Sequence, residues 1–248
     1  MHHGPEGTRR GRQTMVRAKL LIAGPLAAYA APGAVAYLPI ARLVGVRRSI
    51  RRIHDVAITL DDGPQTGATE HFLELLERVG LRVTFFLVGE QVVRFPQLVR
   101  AIQAGGHEIG NHGYRHRNHF LRSPLRLMDD VRYGADAIES VTGERPPLFR
   151  PPQGAVTAAT LAAARREGAE IVLWSAWGRD WRPTATADSI VHDAVRRARG
   201  GQILLLHDAD YYSGRTWHAT YDALPRIVTE LRGQGLRPGR IGGRAELA

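Results

Sequence analysis

From residue 55 onward, short apolar runs alternate with stretches in which apolar residues recur every three to four positions. Val56 to Leu60 is an almost continuous apolar run that stops at Asp61-Asp62-Gly63-Pro64, so it predicts a buried strand ended by a turn. His71, Phe72, Leu75, Leu76 and Val79 follow at helical spacing, and Gly80 closes that helix. Arg82 to Val88 is rich in β-branched and aromatic residues and reads as a strand. Val92, Val93, Leu98, Val99 and Ile102 predict a helix interrupted at Pro96 and ended by Gly105-Gly106. Further on, strands are predicted near Glu108-Ile109, at Leu148-Phe149, from Ala169 to Ser175 and from Ile203 to Leu206. Helices are predicted from Leu125 to Val141, Thr157 to Glu167, Ala187 to Ala198 and Thr220 to Leu231. This alternation, free of internal repeats and low-complexity linkers, predicts one α/β domain built on a parallel sheet. Each unusual polar cluster follows a predicted strand directly, which is the end where a (β/α) barrel gathers its chemistry.

The first 54 residues break the pattern. Leu20 to Ile40 carries no charge and is flanked by Arg17 and Lys19 on one side and by Arg42, Arg47 and Arg48 on the other. Its length suits the apolar core of a signal peptide or a membrane-spanning helix. Gly24, Pro25, Pro32 and Gly33 weaken a straight span, and Ala28-Tyr29-Ala30 and Ala34-Val35-Ala36 resemble signal-peptidase sites. An amphipathic helix packed on the domain is the other possibility, and Met15 offers a second start. The expected organisation is a leader over 1–54, a catalytic domain over 55–240 and a short tail over 241–248. Export or anchoring implies an extracytoplasmic, secreted or membrane-attached protein, with membrane contact through residues 20–40.

Net charge sharpens this division. The chain of 248 residues carries a formal +10, which invites a nucleic-acid reading. Residues 1–54 hold ten Arg or Lys against the single acid Glu6, leaving 24 basic and 23 acidic side chains over 55–248. A nearly neutral body argues against a nucleic-acid partner, whose binding would be strongly salt-dependent. There are no cysteines, so disulfides, thiolate metal sites and cysteine nucleophiles are excluded. With 44% hydrophobic residues, the chain can bury one substantial core and act as a monomer.

Two groups of residues invite a chemical reading. Asp61 and Asp62 are adjacent acids that repel unless a cation or base sits beside them, although a solvated turn would also tolerate both. His112 and His116 stand four apart, which on a helical turn would aim both imidazoles at one ion, with Asp62 completing a facial set. Each also has an ordinary packing or surface reading among eleven histidines. His107 reads as structural and His119 as a surface residue. Asp208 is either a loop cap or a support for His207. Tyr211, Tyr212 and Trp217 either offer an aromatic stacking surface or cover the core.

Taken together, the ordered set Thr59-Leu60-Asp61-Asp62-Gly63-Pro64, His112-Gly113-Tyr114-Arg115-His116, Arg150-Pro151-Pro152-Gln153-Gly154, Gly178-Arg179-Asp180-Trp181 and Leu204-Leu205-Leu206-His207-Asp208 resembles the polysaccharide deacetylases of carbohydrate esterase family four, the NodB-homology domain. The resemblance runs from about Asp55 to about Arg237. It implies a distorted (β/α) barrel of parallel strands carrying a metal-dependent hydrolase, here preceded by the apolar leader helix. Asp61 matches the general base, and Asp62, His112 and His116 match the ligands of a divalent metal, zinc. Arg150 resembles the arginine paired with the base, Asp180 the acid that holds the catalytic histidine, and His207 the general acid. Gln153 stands where the family usually has Tyr, whose backbone N–H stabilises the oxyanion; Trp181 and Leu205 would wall the acetyl methyl pocket. Leu60 replaces a usual Phe, and Trp177 replaces an Asp often present. The implied substrate is an N-acetylated amino-sugar polymer or oligomer, peptidoglycan or chitin-like, with O-deacetylation of xylan-like esters or hydrolysis of a small amide as alternatives. A catalytically silent carbohydrate-binding domain would not need the full set of acid, base and ligand positions.

Overall fold

The computed structural model describes residues 29–38, 40–211 and 217–242. Nine parallel strands form one sheet in the order β1-β6-β5-β4-β3-β2-β8-β7, with β9 pairing β2 beside this path. They are β1 (Val46–Arg47), β2 (Asp55–Asp61), β3 (Thr84–Leu87), β4 (Glu108–Asn111), β5 (Leu148–Phe149), β6 (Glu170–Val172), β7 (Ala176–Trp177), β8 (Ile203–His207) and β9 (Arg237–Gly239). The connecting helices are α1 (Ala68–Arg78), α2 (Gly89–Arg94), α3 (Pro96–Ala104), α4 (Pro124–Thr142), α5 (Ala158–Arg166), α6 (Ala187–Val195) and α7 (Trp217–Gly233). The sheet curls but β1 and β7 do not pair with each other, which gives the expected barrel its distorted, open form.

β2 is the centre of this arrangement. All seven of its residues are buried, as a parallel strand covered on both faces requires. Its upper half pairs with β3 and β8, and its lower residues Asp55 to Ala57 pair with β9. The main core packs Ile58, Leu60, Phe72, Leu76, Phe85, Val99, Leu224 and Ile227 between the sheet and its helices. A second cluster around Leu127, Val131, Phe149, Ile171 and Leu173 lies on the β5–β6 side.

The predicted elements are present with ends shifted in both directions: the helix expected over 125–141 runs from Pro124 to Thr142 and the strand expected over 56–60 from Asp55 to Asp61. The strand expected from Ala169 to Ser175 contracts to Glu170–Val172, and the helix expected across 92–102 divides at Phe95 into α2 and α3, with Pro96 opening α3. β1, β7 and β9 are two or three residues long, too short for periodicity to reveal.

The amino-terminal segment contributes to the same body. Residues 29–35 are helical, and Ala36, Ala41 and Val46 are buried in the second cluster, while β1 pairs with β6. The boundary expected at residue 55 therefore falls after a strand that already belongs to the sheet. Residues 20–28 of the apolar leader, Pro39, Tyr212 and the tail over 243–248 lie outside the described residues. Among the described residues, no helix is long and apolar enough to cross a membrane.

Candidate active site

β2 delivers Asp61 and Asp62 to the top of the sheet, and strand register sets what faces them. Asp61 is the direct partner of His207 on β8. Partners in a parallel ladder project to the same side, so the expected base and acid stand together although 146 residues separate them. Asp62 takes a left-handed backbone, φ 84, and so turns the second carboxyl away from the strand's alternation. Gly63 follows tightly against Asp208, where a Cβ would lie 2.5 Å from Oδ2.

The three expected metal ligands meet. Asp62 Oδ1 lies 3.4 Å from His112 Nε2 and 3.3 Å from His116 Nε2. The three ligand atoms all fall within 4.8 Å of one another. The histidines reach this position through a loop rather than the predicted helical turn: β4 ends at Asn111, and Gly113 reverses the chain with φ 81. His112 Nδ1–H donates to the Arg150 carbonyl at 2.7 Å, leaving the Nε2 lone pair facing Asp62. Burial pushes His116 down to about 4, against the pull of Asp62, and keeps it neutral at pH 7. For Asp62, burial acts upward, but the imidazoles of His112, His207 and His116 outweigh it and hold the carboxyl at about 2. Asp62 Oδ1 is buried and has no hydrogen-bond partner among the described residues. An orphaned carboxylate oxygen facing two imidazole nitrogens fits a divalent cation held between them.

Asp61 and His207 are each supported by a buried charge of opposite sign. Arg150, fully buried, donates from Nη1 to Asp61 Oδ1 at 2.6 Å and to Thr59 Oγ1 at 2.7 Å. Its Nε reaches the Val172 carbonyl at 3.1 Å, and its plane lies 4.0 Å over the Phe86 ring. Burial pushes His207 down, but Asp180 overrides it by charge and hydrogen bond, with Asp62 and Asp61 adding, and raises it to about 10. His207 Nδ1–H donates to Asp180 Oδ1 at 2.9 Å, so Nε2–H is the proton left for the cleft. Asp180 Oδ2 accepts from the His207 backbone N–H at 2.7 Å and from Thr220 Oγ1 at 3.0 Å.

Asp61, Asp62, His112, His116 and His207 line a cleft of about 370 Å³ together with Gln153, Trp174, Trp181 and Leu205. Gln153 holds a left-handed backbone, φ 55, and its N–H donates to no other group among the described residues. Trp181 sits edge-on to His207, and with Leu205 it provides the apolar wall expected for a methyl group. Trp174, which sequence reasoning missed, adds an aromatic wall to this cleft beside Gln153. Tyr37 packs edge-on against Trp174 and donates from its hydroxyl to the Gly154 carbonyl at 3.1 Å.

Other missed residues hold the site without lining it. Asn111 accepts from the Gly113 N–H and donates to the Val131 carbonyl, while Asp130 accepts from the N–H groups of Tyr114 and Arg115. An Asn at the end of a short strand and an Asp within a helix carry no sequence signal for this work. His119, expected at the surface, is buried, stacked on Phe149 and bonded to Thr160 Oγ1; burial pushes it down to about 3. His107 accepts from the Val83 N–H, as its structural reading required. Asp208 packs its carboxylate against Gly63, with Thr69 Oγ1 3.4 Å from Oδ2. Burial first, then Asp62 and Asp61, raise it to about 8 despite the Gly63 N–H bond. Trp217 packs against the main core beside His71 and Tyr221, so it covers the core.

The fold sets an Asp61–Arg150 pair and a His207–Asp180 pair beside three donors that could hold a cation. Residues 50–172 match the family model described as polysaccharide deacetylase. A peptidoglycan-N-acetylglucosamine deacetylase of Bacillus cereus is 40% identical over 184 residues, spanning 73% of this chain and 84% of the relative. The family 4 carbohydrate esterase from Streptomyces lividans, in complex with acetate, is 34% identical with a TM-score of 0.68, covering 75% of this chain and 92% of that one. A crystallised peptidoglycan N-acetylglucosamine deacetylase superposes with a TM-score of 0.76 at 28% identity, covering 83% and 95% respectively. This chain therefore belongs to the polysaccharide deacetylases of carbohydrate esterase family four.

Proposed function

We propose that this chain is a zinc-dependent N-deacetylase acting on acetylated amino-sugar units of a cell-envelope glycan. The observation that carries this reading is the register match of Asp61 with His207, one backed by buried Arg150 and the other by buried Asp180. Two imidazoles and one carboxylate suit zinc with positions left open. When bound, such an ion supplies Lewis acidity that polarises a carbonyl and acidifies water.

The chain's own residues do the rest. Asp61, steered by Arg150, accepts the proton of the attacking water. The Gln153 backbone N–H, still without an acceptor, stabilises the oxyanion that develops on the acetyl oxygen. His207 donates Nε2–H to the departing nitrogen, and its firmly held proton suits an amine, which must be protonated to leave, better than an ester oxygen. Trp181 and Leu205 enclose the methyl group.

Asp61→Asn and His207→Ala are each expected to lower turnover by about 10² to 10⁴, the usual worth of a general base or acid. Both should still bind one zinc per chain. Acetate release from chitin oligomers, peptidoglycan and acetylxylan, alongside zinc content, tests this; loss of zinc in either variant, or unchanged turnover, contradicts the roles.

A further inference from the structure

A second cleft, of about 510 Å³, adjoins the catalytic one and shares His116 and Gln153 with it. Its remaining wall includes Arg115, Arg117, Asn118 and Arg122, and no Asp or Glu lines it. Arg115 stands 4.0 Å from Glu90, and both side chains are exposed to solvent. Arg117 and Arg122 have no carboxylate within 4.0 Å among the described residues, and Arg122 Nε is buried without a hydrogen-bond partner. The acid beneath this wall, Asp130, already accepts from the backbone N–H groups of Tyr114 and Arg115. Between the clefts, Asn118 donates to Gln153 Oε1 at 2.7 Å, which fixes the Gln153 amide and leaves its NH₂ without an acceptor among the described residues.

A concavity rich in guanidinium and amide donors and without acidic lining is built for an anion, and planar guanidinium forks match the geometry of a carboxylate as well as that of a phosphate. Because it shares His116 and Gln153 with the reacting centre, a group carried on the same glycan as the acetamide can reach it. We propose that this cleft is a subsite for a carboxylate borne next to the sugar being deacetylated, so that the protein selects acidic acetylated glycans over neutral ones. The proposal rests on the deacetylase reading and narrows its substrate class. The carboxylate can be carried by an acid substituent of the sugar ring itself or by a peptide attached to it.

The test is calorimetric binding to the full chain, with four tetrasaccharides as ligands. They are alternating N-acetylglucosamine and N-acetylmuramic acid with free carboxylates, its carboxamide derivative, its peptide-bearing form, and neutral tetraacetylchitotetraose. The free acid is expected to bind about tenfold or more tightly than the carboxamide and the neutral oligomer, with the advantage shrinking at high salt. The double variant Arg115→Gln/Arg117→Gln, which changes two exposed side chains, should lose most of that advantage while binding the neutral oligomer as before. In turnover, KM for the acidic glycan should rise with kcat unchanged. Tightest binding of the free acid places the carboxylate on the sugar, and tightest binding of the peptide form places it on the peptide; either supports the subsite. Equal binding of acid and carboxamide by the unaltered protein, or equal loss on acidic and neutral glycans in the variant, overturns it. If no glycan releases acetate but the arginine-dependent preference remains, the deacetylase reading falls and the cleft stands only as a binding site for acidic glycans. Acetate release without the preference removes the subsite and leaves the deacetylase reading standing.

Discussion

Asp180 illustrates how much a single buried side chain can set. It holds the His207 ring by charge and hydrogen bond and raises it to about 10. A general acid must carry its proton, so its contribution is full below the folded pKa and lost as pH rises through it. Asp180→Asn removes the main support, and burial then pulls His207 down toward or below its ordinary value of about 6.5. The alkaline limb of the kcat–pH profile is expected to move to lower pH by more than about one unit. A limb that stays in place would show that His207 is not the titrating acid. Stability follows the same sign. A raised imidazole pKa stabilises the fold fully below about 6.5, and this contribution is lost as pH rises toward about 10. Thermal unfolding of the variant should therefore show a smaller loss of stability between pH 7 and 10 than the parent chain shows.

At the scale of elements, the cation site depends on how closely α4 approaches the loop after β4. Gly134 makes that approach possible: a Cβ there would lie 2.4 Å from Asn111 Oδ1 and 2.7 Å from the Gly113 carbonyl carbon. About one turn earlier on α4, the Asp130 carboxylate accepts from the Tyr114 and Arg115 N–H groups and the Val131 carbonyl accepts from the Asn111 side chain, holding the same loop. Gly134→Ala should improve helix propensity by about 1 kcal/mol, yet the backbone clash should cost about 1 to 3 kcal/mol and shift the loop. The expected net result is a lower melting temperature together with weaker zinc binding by titration. A variant that is more stable and binds zinc unchanged would show that α4 does not hold the ligands in place.

At the scale of the whole molecule, the amino-terminal segment belongs to the folded body from at least residue 29. It supplies β1, three buried side chains to the second cluster, and Tyr37 against Trp174 and Gly154 at the cleft. A chain starting at residue 55 loses all of these. Re-exposing their partners, including Ile171 and Leu173, should destabilise the body by about 2 kcal/mol or more. For a domain of this size, that corresponds to a melting temperature lower by roughly 4 to 8 °C. Thermal denaturation of the 55–248 fragment against the full chain measures this, and coincident transitions would contradict it.

The amino-acid order was enough to reveal the alternation of strand and helix, because apolar periodicity is a local property that survives without tertiary context. It also pointed to Asp61, Asp62, His112, His116 and His207 as candidate site positions, because those residue types sit together at strand exits in motifs of a recognisable family. Their convergence, the loop route that brings His112 and His116 to Asp62, and the burial of His119 depend on contacts between segments distant in the chain. The same is true of the support from Asn111, Asp130, Gly134 and Thr220 and of Trp174 as the aromatic wall, since each is an ordinary residue in its local sequence. Strands of two or three residues are formed by their neighbours' hydrogen bonds and not by their own pattern, so only the assembled sheet could place β1, β7 and β9.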